Sequence, residues 1–242
     1  MYFGFRSGHH PFVTPQSYRG TTNAGVVGES IVEVDDIVGR IVQKLTDSGI
    51  RNNTLIVFMS DNGPVAFSWV RSRFNHFQTS VDLGDKNIVL RGAKNEIYEG
   101  GHRVPFIWNY PGQFQPKVVD DQTVTYIDVY RTLADMTGIP LKCNEAPDSR
   151  SIMGILQGSA DVDGPVIHHS VKHGLALRHE NWKWIPDTNE LFDISTDAAE
   201  QHNLVEQFPD LVRSLNKTLA ELVTKVNERE KRTKKGTLEA VC

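Results

Sequence analysis

One stretch constrains the fold more than any other: an amphipathic segment, a glycine, and then an apolar run that ends in turn formers. In Glu29–Ser48, Ile31, Val34, Val38, Ile41 and Leu45 recur at steps of three and four, the spacing that puts side chains on one face of a helix. Gly49 follows directly, where a helix stop belongs. Thr54–Ser60 is rich in β-branched and aromatic residues, and a continuous run of that length predicts a strand buried on both faces. Helix, short turn and buried strand make an α/β layer. Behind the strand stands Asp61-Asn62-Gly63-Pro64, a cluster of turn residues.

Around this unit the chain reads as follows. Tyr2–Arg6 is expected to be a strand that runs straight into a loop, and a domain that opens inside a core strand is expected to have sequence before it. Val65–Leu90 has no clear period. Val104–Asn109 is a strand closed by Pro111-Gly112, and Thr125–Met136 is a helix ended by Gly138 and Pro140. Composition shifts after Cys143, so the expected division is 1–143 and 144–242, with Asn144–Asp163 rich in turn residues. Gly174–Arg178, Trp182–Pro186 and Glu190–Asp193 are short strands of an antiparallel meander. A final helix over Pro209–Val226 carries Leu211, Leu215, Leu219 and Leu222 as its stripe, and Glu228–Lys235 reads as a solvated, fraying tail.

Composition excludes several classes of function. The net charge of -4 supplies no basic face to neutralise phosphates, so nucleic acid is not an expected partner. No apolar run approaches the roughly 20 residues that span a bilayer. Met1–His10 has no charged segment followed by an apolar one, so it is not a signal peptide. Two cysteines, Cys143 and Cys242, make no disulfide framework, although the two could pair. The absence of a spaced Cys/His cluster excludes a structural zinc site.

Three places could carry chemistry. Asp61 and Asn62 sit at the C-terminal end of the apolar strand, where open α/β sheets bind ligands. A carboxylate beside an amide oxygen suits Ca²⁺ or Mg²⁺ rather than Zn²⁺, and Asp-Asn-Gly is equally a turn in its own right. Lys94 lies in Leu90-Arg91-Gly92-Ala93-Lys94, ahead of Tyr98-Glu99-Gly100-Gly101-His102-Arg103-Val104-Pro105. Its ammonium is a compact charge that can hold an oxyanion, or simply a surface lysine. His9, in a loop stiffened by Pro11 and Pro15, can donate to an anion or protonate a leaving group, or stand solvated. His168 and His169 are adjacent on an expected strand, so they point to opposite faces and do not form a ligand pair.

The order and spacing of these pieces resemble one family. The chain is similar to the type I sulfatases, particularly the arylsulfatase B-like (N-acetylgalactosamine-4-sulfatase-like) branch. The resemblance rests on His9, Pro11 and Pro15; on Val34-Asp35-Asp36-Ile37-Val38-Gly39-Arg40; on Asn53–Gly63; on Leu90–Lys94 and Tyr98–Pro105; and on Glu190-Leu191-Phe192-Asp193-Ile194 with Asp197, Glu200 and Asn203. It implies an α/β, alkaline-phosphatase-like core, incomplete here, with a smaller C-terminal domain of antiparallel sheet plus helix. It implies that Asp61 and Asn62 ligate Ca²⁺ (Mg²⁺ less readily), and that Lys94 and His9 contact sulfate. It implies a sulfuric ester hydrolase acting on sulfated small molecules or glycosaminoglycans. The nucleophile would be a formylglycine made by the formylglycine-generating enzyme from the cysteine of a Cys-x-Pro-x-Arg motif.

That motif is absent: neither Cys143 nor Cys242 is followed by proline two residues on. The family's N-terminal aspartate pair is absent as well, and two oxygen donors cannot complete the six to eight or so that Ca²⁺ takes. The chain therefore reads as a C-terminal portion, inactive by itself. Two other functions fit the residues: a non-catalytic binder of sulfated glycans, or a phosphoester hydrolase of the same superfamily. The sequons Asn52-Asn53-Thr54 and Asn216-Lys217-Thr218 are glycosylation acceptors if the protein is secreted or lysosomal, the location the resemblance implies.

Overall fold

The computed structural model describes residues 1–65, 80–82, 87–142, 144–159, 161–162 and 164–234. Helix α1, Gly25–Asp47, is followed by a 3-10 turn at Arg51–Asn53 and by strand β1, Ile56–Met59. The predicted helix, turn and strand are therefore present. The helix begins earlier than its apolar stripe, and its buried side chains are Val27, Ser30, Glu33 and Val34. Ile31, counted on the core face from its spacing, is 50% exposed. The N-terminal loop shifts the covered face: Ser7 Oγ donates to Glu33 Oε2 at 2.6 Å and Thr14 Oγ1 to Glu29 Oε2 at 3.2 Å.

Tyr2–Arg6 is not a strand. It is coil, with the Phe5 ring 6.4 Å from that of Phe58, and among the described residues no strand offers it a ladder. β1 departs from expectation too. It pairs antiparallel with β4, Phe106–Asn109, in register Phe58↔Ile107, and none of its residues is fully buried. Met59 is 38% and Ile107 55% exposed. The pair has no third strand among the described residues, so its apolar side chains are covered only in part.

Strands β2 (Ser80–Asp82) and β3 (Asn87–Val89) form an antiparallel pair inside the Val65–Leu90 span that showed no period. Most of the rest of that span lies outside the described residues, as do Cys143 and Cys242. A one-turn helix α2, Glu99–His102, leads into β4. Helix α3, Asp128–Thr137, ends at Gly138 with φ 68°, a left-handed stop that glycine adopts without a Cβ clash. The turn-rich segment after it holds a short helix α4, Met153–Gln157. The buried Asp128 carboxylate binds the two together, accepting from Arg150 N at 2.8 Å and Nη2 at 2.8 Å.

The second half is a four-stranded antiparallel sheet in order β5-β6-β7-β8: β5 Val166–Ser170, β6 Gly174–His179, β7 Trp182–Ile185 and β8 Glu190–Asp193. Helix α5, Pro209–Lys234, closes the described chain. It runs through the segment read as a fraying tail, where Arg229 pairs with Asp148.

Alternation along these strands makes two cores. On one face Leu177, Trp184 and Leu191 pack against Leu215 and Leu219 of α5, with Leu211 and Leu222 beside them. On the other, Ala176, Ile185 and Phe192 pack against Leu90, Ile97 and Tyr98. The segment that bears Lys94 is thus laid directly on the C-terminal sheet.

Phe192 is 1% exposed at the centre of that second core. Phe192→Ala is expected to cost about 3–5 kcal/mol of unfolding free energy, read as a lower urea midpoint with the denaturant slope unchanged.

Candidate functional site

β1 ends at Met59, and the N–H of the next residue, Ser60, still reaches Pro105 O at 3.3 Å. The chain then turns. Ser60 Oγ donates to Asn62 O at 3.0 Å, and Asn62 Nδ2 to Gly63 O at 2.8 Å. Gly63 N donates to Gly101 O at 3.0 Å, and Lys94 N to Pro64 O at 2.8 Å. The Asp61–Pro64 corner is therefore fixed by backbone bonds to α2 and to the lysine segment. Glycine is required at this junction, because a Cβ on Gly63 would overlap the Gly100 carbonyl oxygen.

Sequence reasoning pointed to Asp61, Asn62, Lys94 and His9. The first three are gathered at one corner: Asp61 exposed, Asn62 and Lys94 half-buried. His9 stays apart. Its ring stacks on His10 with centroids 4.3 Å apart, and its Nδ1 lies 2.7 Å from His10 O. It contacts none of the other three among the described residues, and its loop is anchored to α1 through Ser7 and Glu33.

The donor set at the corner suits a hard cation in kind, since a carboxylate and an amide oxygen stand side by side. It falls short in number: among the described residues no group of three or more His, Cys, Asp or Glu side chains could hold a metal ion.

Behind the corner lies a charged network that sequence reasoning missed. Lys183 of β7 is wholly buried. Its Nζ is 2.9 Å from Glu99 Oε1 and 2.8 Å from Glu200 Oε1, the latter without the alignment of a hydrogen bond. Glu200 Oε2 also accepts the Glu99 N–H at 2.7 Å. The His102 ring stacks on His168, centroids 4.6 Å apart, and His168 Nδ1 is enclosed without a hydrogen-bond partner among the described residues. The expectation that His168 and His169 face opposite ways holds in that His169 is exposed. A signal was available: a lysine inside Trp182-Lys183-Trp184-Ile185 cannot be buried without paired carboxylates.

Burial alone would raise the Glu99 carboxyl, but the Lys183 ammonium, helped by His168 and Arg178, outweighs it and holds Glu99 at about 2. Glu200, facing the same ammonium, is pushed up by burial, and the negative Glu99 adds to that. Burial, then the positive Lys183, lowers His102 to about 4 and drives His168 well below the usual imidazole range.

A second clamp stands beside the first. Arg91 Nη1 donates to Glu190 Oε1 at 3.0 Å and to Glu200 O at 3.2 Å, with its guanidinium 3.7 Å over the Tyr98 ring. Tyr98 OH donates to Glu190 Oε2 at 2.8 Å. Asn203 Oδ1 accepts from Leu191 N at 3.0 Å, and Asp197 caps Gln201 N and His202 N.

Two family models match the chain: "Sulfatase" over residues 1–139 and "N-sulphoglucosamine sulphohydrolase, C-terminal" over residues 93–227. The chain belongs to the sulfatase family. It is 27% identical to an N-acetylgalactosamine-6-O-sulfatase of Bacteroides thetaiotaomicron, over 93% of this chain and 47% of the relative. An arylsulfatase of Hemicentrotus pulcherrimus is 31% identical over 76% of this chain and 31% of the relative. A sulfatase structure solved in work on glycosaminoglycan metabolism by B. thetaiotaomicron superposes with TM-score 0.75 at 28% identity, covering 89% of this chain and 48% of that one. The fold is that of the alkaline-phosphatase-like sulfatases, represented in part. The chain spans about half the length, or less, of the relatives it matches.

The half-buried His102 and His168 imidazoles make stability depend on pH. The folded chain rejects a proton at His102 that the unfolded chain accepts below about 6.5. The His102 contribution is therefore complete above that value and is lost as pH falls toward about 4, with His168 acting in the same direction. Urea unfolding at pH 7, 6 and 5 should show the wild type losing more stability than His102→Gln over this range. Parallel pH profiles would contradict it.

Proposed function

We propose that the chain forms the cation- and sulfate-binding corner of a sulfuric ester hydrolase whose substrates are sulfate esters of glycosaminoglycans or related glycans. One observation carries the reading. In a member of the sulfatase family, the turn bearing Asp61 and Asn62 is bonded through Pro64 O to the backbone of Lys94, 2.8 Å away, so the lysine segment adjoins the turn that carries hard oxygen donors. The names of the Bacteroides relatives support a sulfated-glycan substrate. The N-acetylgalactosamine-4-sulfatase-like branch is the finer form of the same proposal.

The chemistry follows from the residues. Negative charge grows on the bridging and peripheral oxygens as a sulfate ester bond breaks. Lys94 places a fixed positive charge toward those oxygens, and such preorganised charge is commonly the largest contribution to catalysis. Asp61 and Asn62 would hold a divalent cation, Ca²⁺ by preference, which when bound supplies Lewis acidity toward the sulfate oxygens. His9 would protonate the departing alcohol oxygen, once its loop swings from its stacking on His10 toward the corner.

Neither Cys143 nor Cys242 heads a Cys-x-Pro-x-Arg motif. In this reading the formylglycine nucleophile and the remaining cation ligands come from polypeptide outside these 242 residues. The 242-residue chain by itself is then inactive and retains at most anion binding.

The test has two arms. The chain alone should show no turnover of p-nitrocatechol sulfate. A longer polypeptide that carries an in-frame Cys-x-Pro-x-Arg upstream should show turnover, and Lys94→Ala should lower its kcat/KM by about 10²-fold or more with unfolding unchanged. Near-normal rates for Lys94→Ala would remove Lys94 from the site. Retention of the chain on chondroitin sulfate, with no turnover even by the longer polypeptide, would instead favour a glycan binder.

A further inference from the structure

The functional corner and the buried charge network share one short segment. Glu99 is the first residue of α2, and Gly100 and Gly101 follow it. On one side Glu99 is held by its carboxylate to Lys183 Nζ at 2.9 Å and by its N–H to Glu200 Oε2 at 2.7 Å. On the other side Gly101 O accepts the Gly63 N–H, and the Gly100 carbonyl packs on the Gly63 Cα. No more than two peptide bonds separate the anchored residue from the carbonyls that seat the corner.

No side chain lies between these surfaces. A Cβ on Gly100 would overlap the carbonyl oxygens of Gly92 and Arg91, and one on Gly101 those of Glu96 and Ala93. Backbone thus rests on backbone from the Arg91–Glu96 segment through α2 to Gly63, and the Lys183–Glu99 side-chain pair joins α2 to β7. The lysine segment is tied at both ends: Gly100 N donates to Arg91 O at 2.7 Å, and Lys94 N to Pro64 O at 2.8 Å. Close-packed backbone leaves no soft element to absorb a shift.

We propose that Lys183, Glu99 and Glu200 are positioning residues that hold the Asp61–Pro64 corner and Lys94 in their mutual geometry, so that the C-terminal sheet sets the shape of the cation- and sulfate-binding site. The inference rests on reading Asp61, Asn62 and Lys94 as that site. It concerns groups from β7, α2 and the Glu200 turn, none of which would touch substrate. Without the Lys183 ammonium, two buried carboxylates face each other, and their repulsion and desolvation are relieved only by protonation or by moving α2 away from the sheet. Movement of α2 carries the Gly101 carbonyl off Gly63.

Amide hydrogen exchange on the 242-residue chain reads this directly. In Lys183→Met, the Gly63 and Lys94 amides should lose protection by about tenfold or more, while those of Val34 in α1 and Leu219 in α5 change by less than about twofold. Should Lys183→Met fail to fold, Glu200→Gln serves. It keeps a side-chain oxygen for the Glu99 N–H, removes one charge, and should loosen the same two amides by about threefold. Unchanged Gly63 and Lys94 amides in a folded variant would overturn the proposal. So would equal acceleration everywhere, which marks a purely global role.

The readout is independent of catalysis. Selective loosening combined with normal turnover by Lys94→Ala would leave positioning intact and sink the functional reading. The reverse pair of results would do the opposite.

Discussion

The lysine ammonium buried between two carboxylates is the interaction on which the rest of this structure depends. Lys183 is wholly buried on the face of the C-terminal sheet that also presents Ala176, Ile185 and Phe192. Desolvating an ammonium costs several kcal/mol even after relaxation, so the position is tolerable only while Glu99 and Glu200 both reach it. Glu99 comes from the N-terminal half and Glu200 from the turn after β8. The charge can therefore be satisfied only when both halves are docked. A hydrophobic contact tolerates sliding, whereas this one specifies register, a use of buried charge that is well attested elsewhere.

Arg91, Tyr98 and Glu190 repeat the device with partial exposure. Arg91 stacks on Tyr98 while it pairs with Glu190, and Tyr98 donates to the same carboxylate. The residues that gave the late part of the sequence its family resemblance therefore have structural work. Glu190 and Glu200 receive the basic and phenolic groups of the 90–102 segment, and Asp197 and Asn203 fold the turn that presents Glu200. The sulfatase signature near the C-terminus thus describes a dock for the segment that carries Lys94 and supports Asp61.

How much of this was legible in the sequence depended on whether the cause was local. Helix α1, strand β1, the β6–β8 meander and the leucine stripe of α5 follow from periodicity, and their residues declared them. Gly138 ended its helix for the reason its type suggested. What failed was burial that depends on neighbours. β1 has the composition of a doubly covered strand, yet among the described residues it has β4 alone beside it, and Ile31 lost its core position to a loop held by Ser7 and Glu33. The strand expected at Tyr2–Arg6 had the composition but, among the described residues, no partner strand. At the site, glycines and turn residues flagged Asp61, Asn62 and Lys94, because close backbone approach leaves a trace in residue type. The Lys183 network left a fainter one, since Glu99 lies 84 positions from Lys183 and each charge alone looks like surface.

The glycines explain why a distant network can matter to the corner at all. Had any of Gly63, Gly100 and Gly101 carried a side chain, the turn after β1 and the turn of α2 would meet through flexible atoms, and a displacement of a few tenths of an ångström at Glu99 would dissipate. Their absence brings carbonyl oxygens to within overlap distance of the neighbouring Cα positions, so the two turns move as one body. The same closeness fixes the Lys94 backbone relative to the turn that carries Asp61 by main-chain bonds. A corner built this way takes its rigidity from the main chain behind it. On the proposed reading, the groups that would meet a sulfate oxygen and the network that holds two halves of the chain together are successive layers of one stack, with α2 as the layer they share.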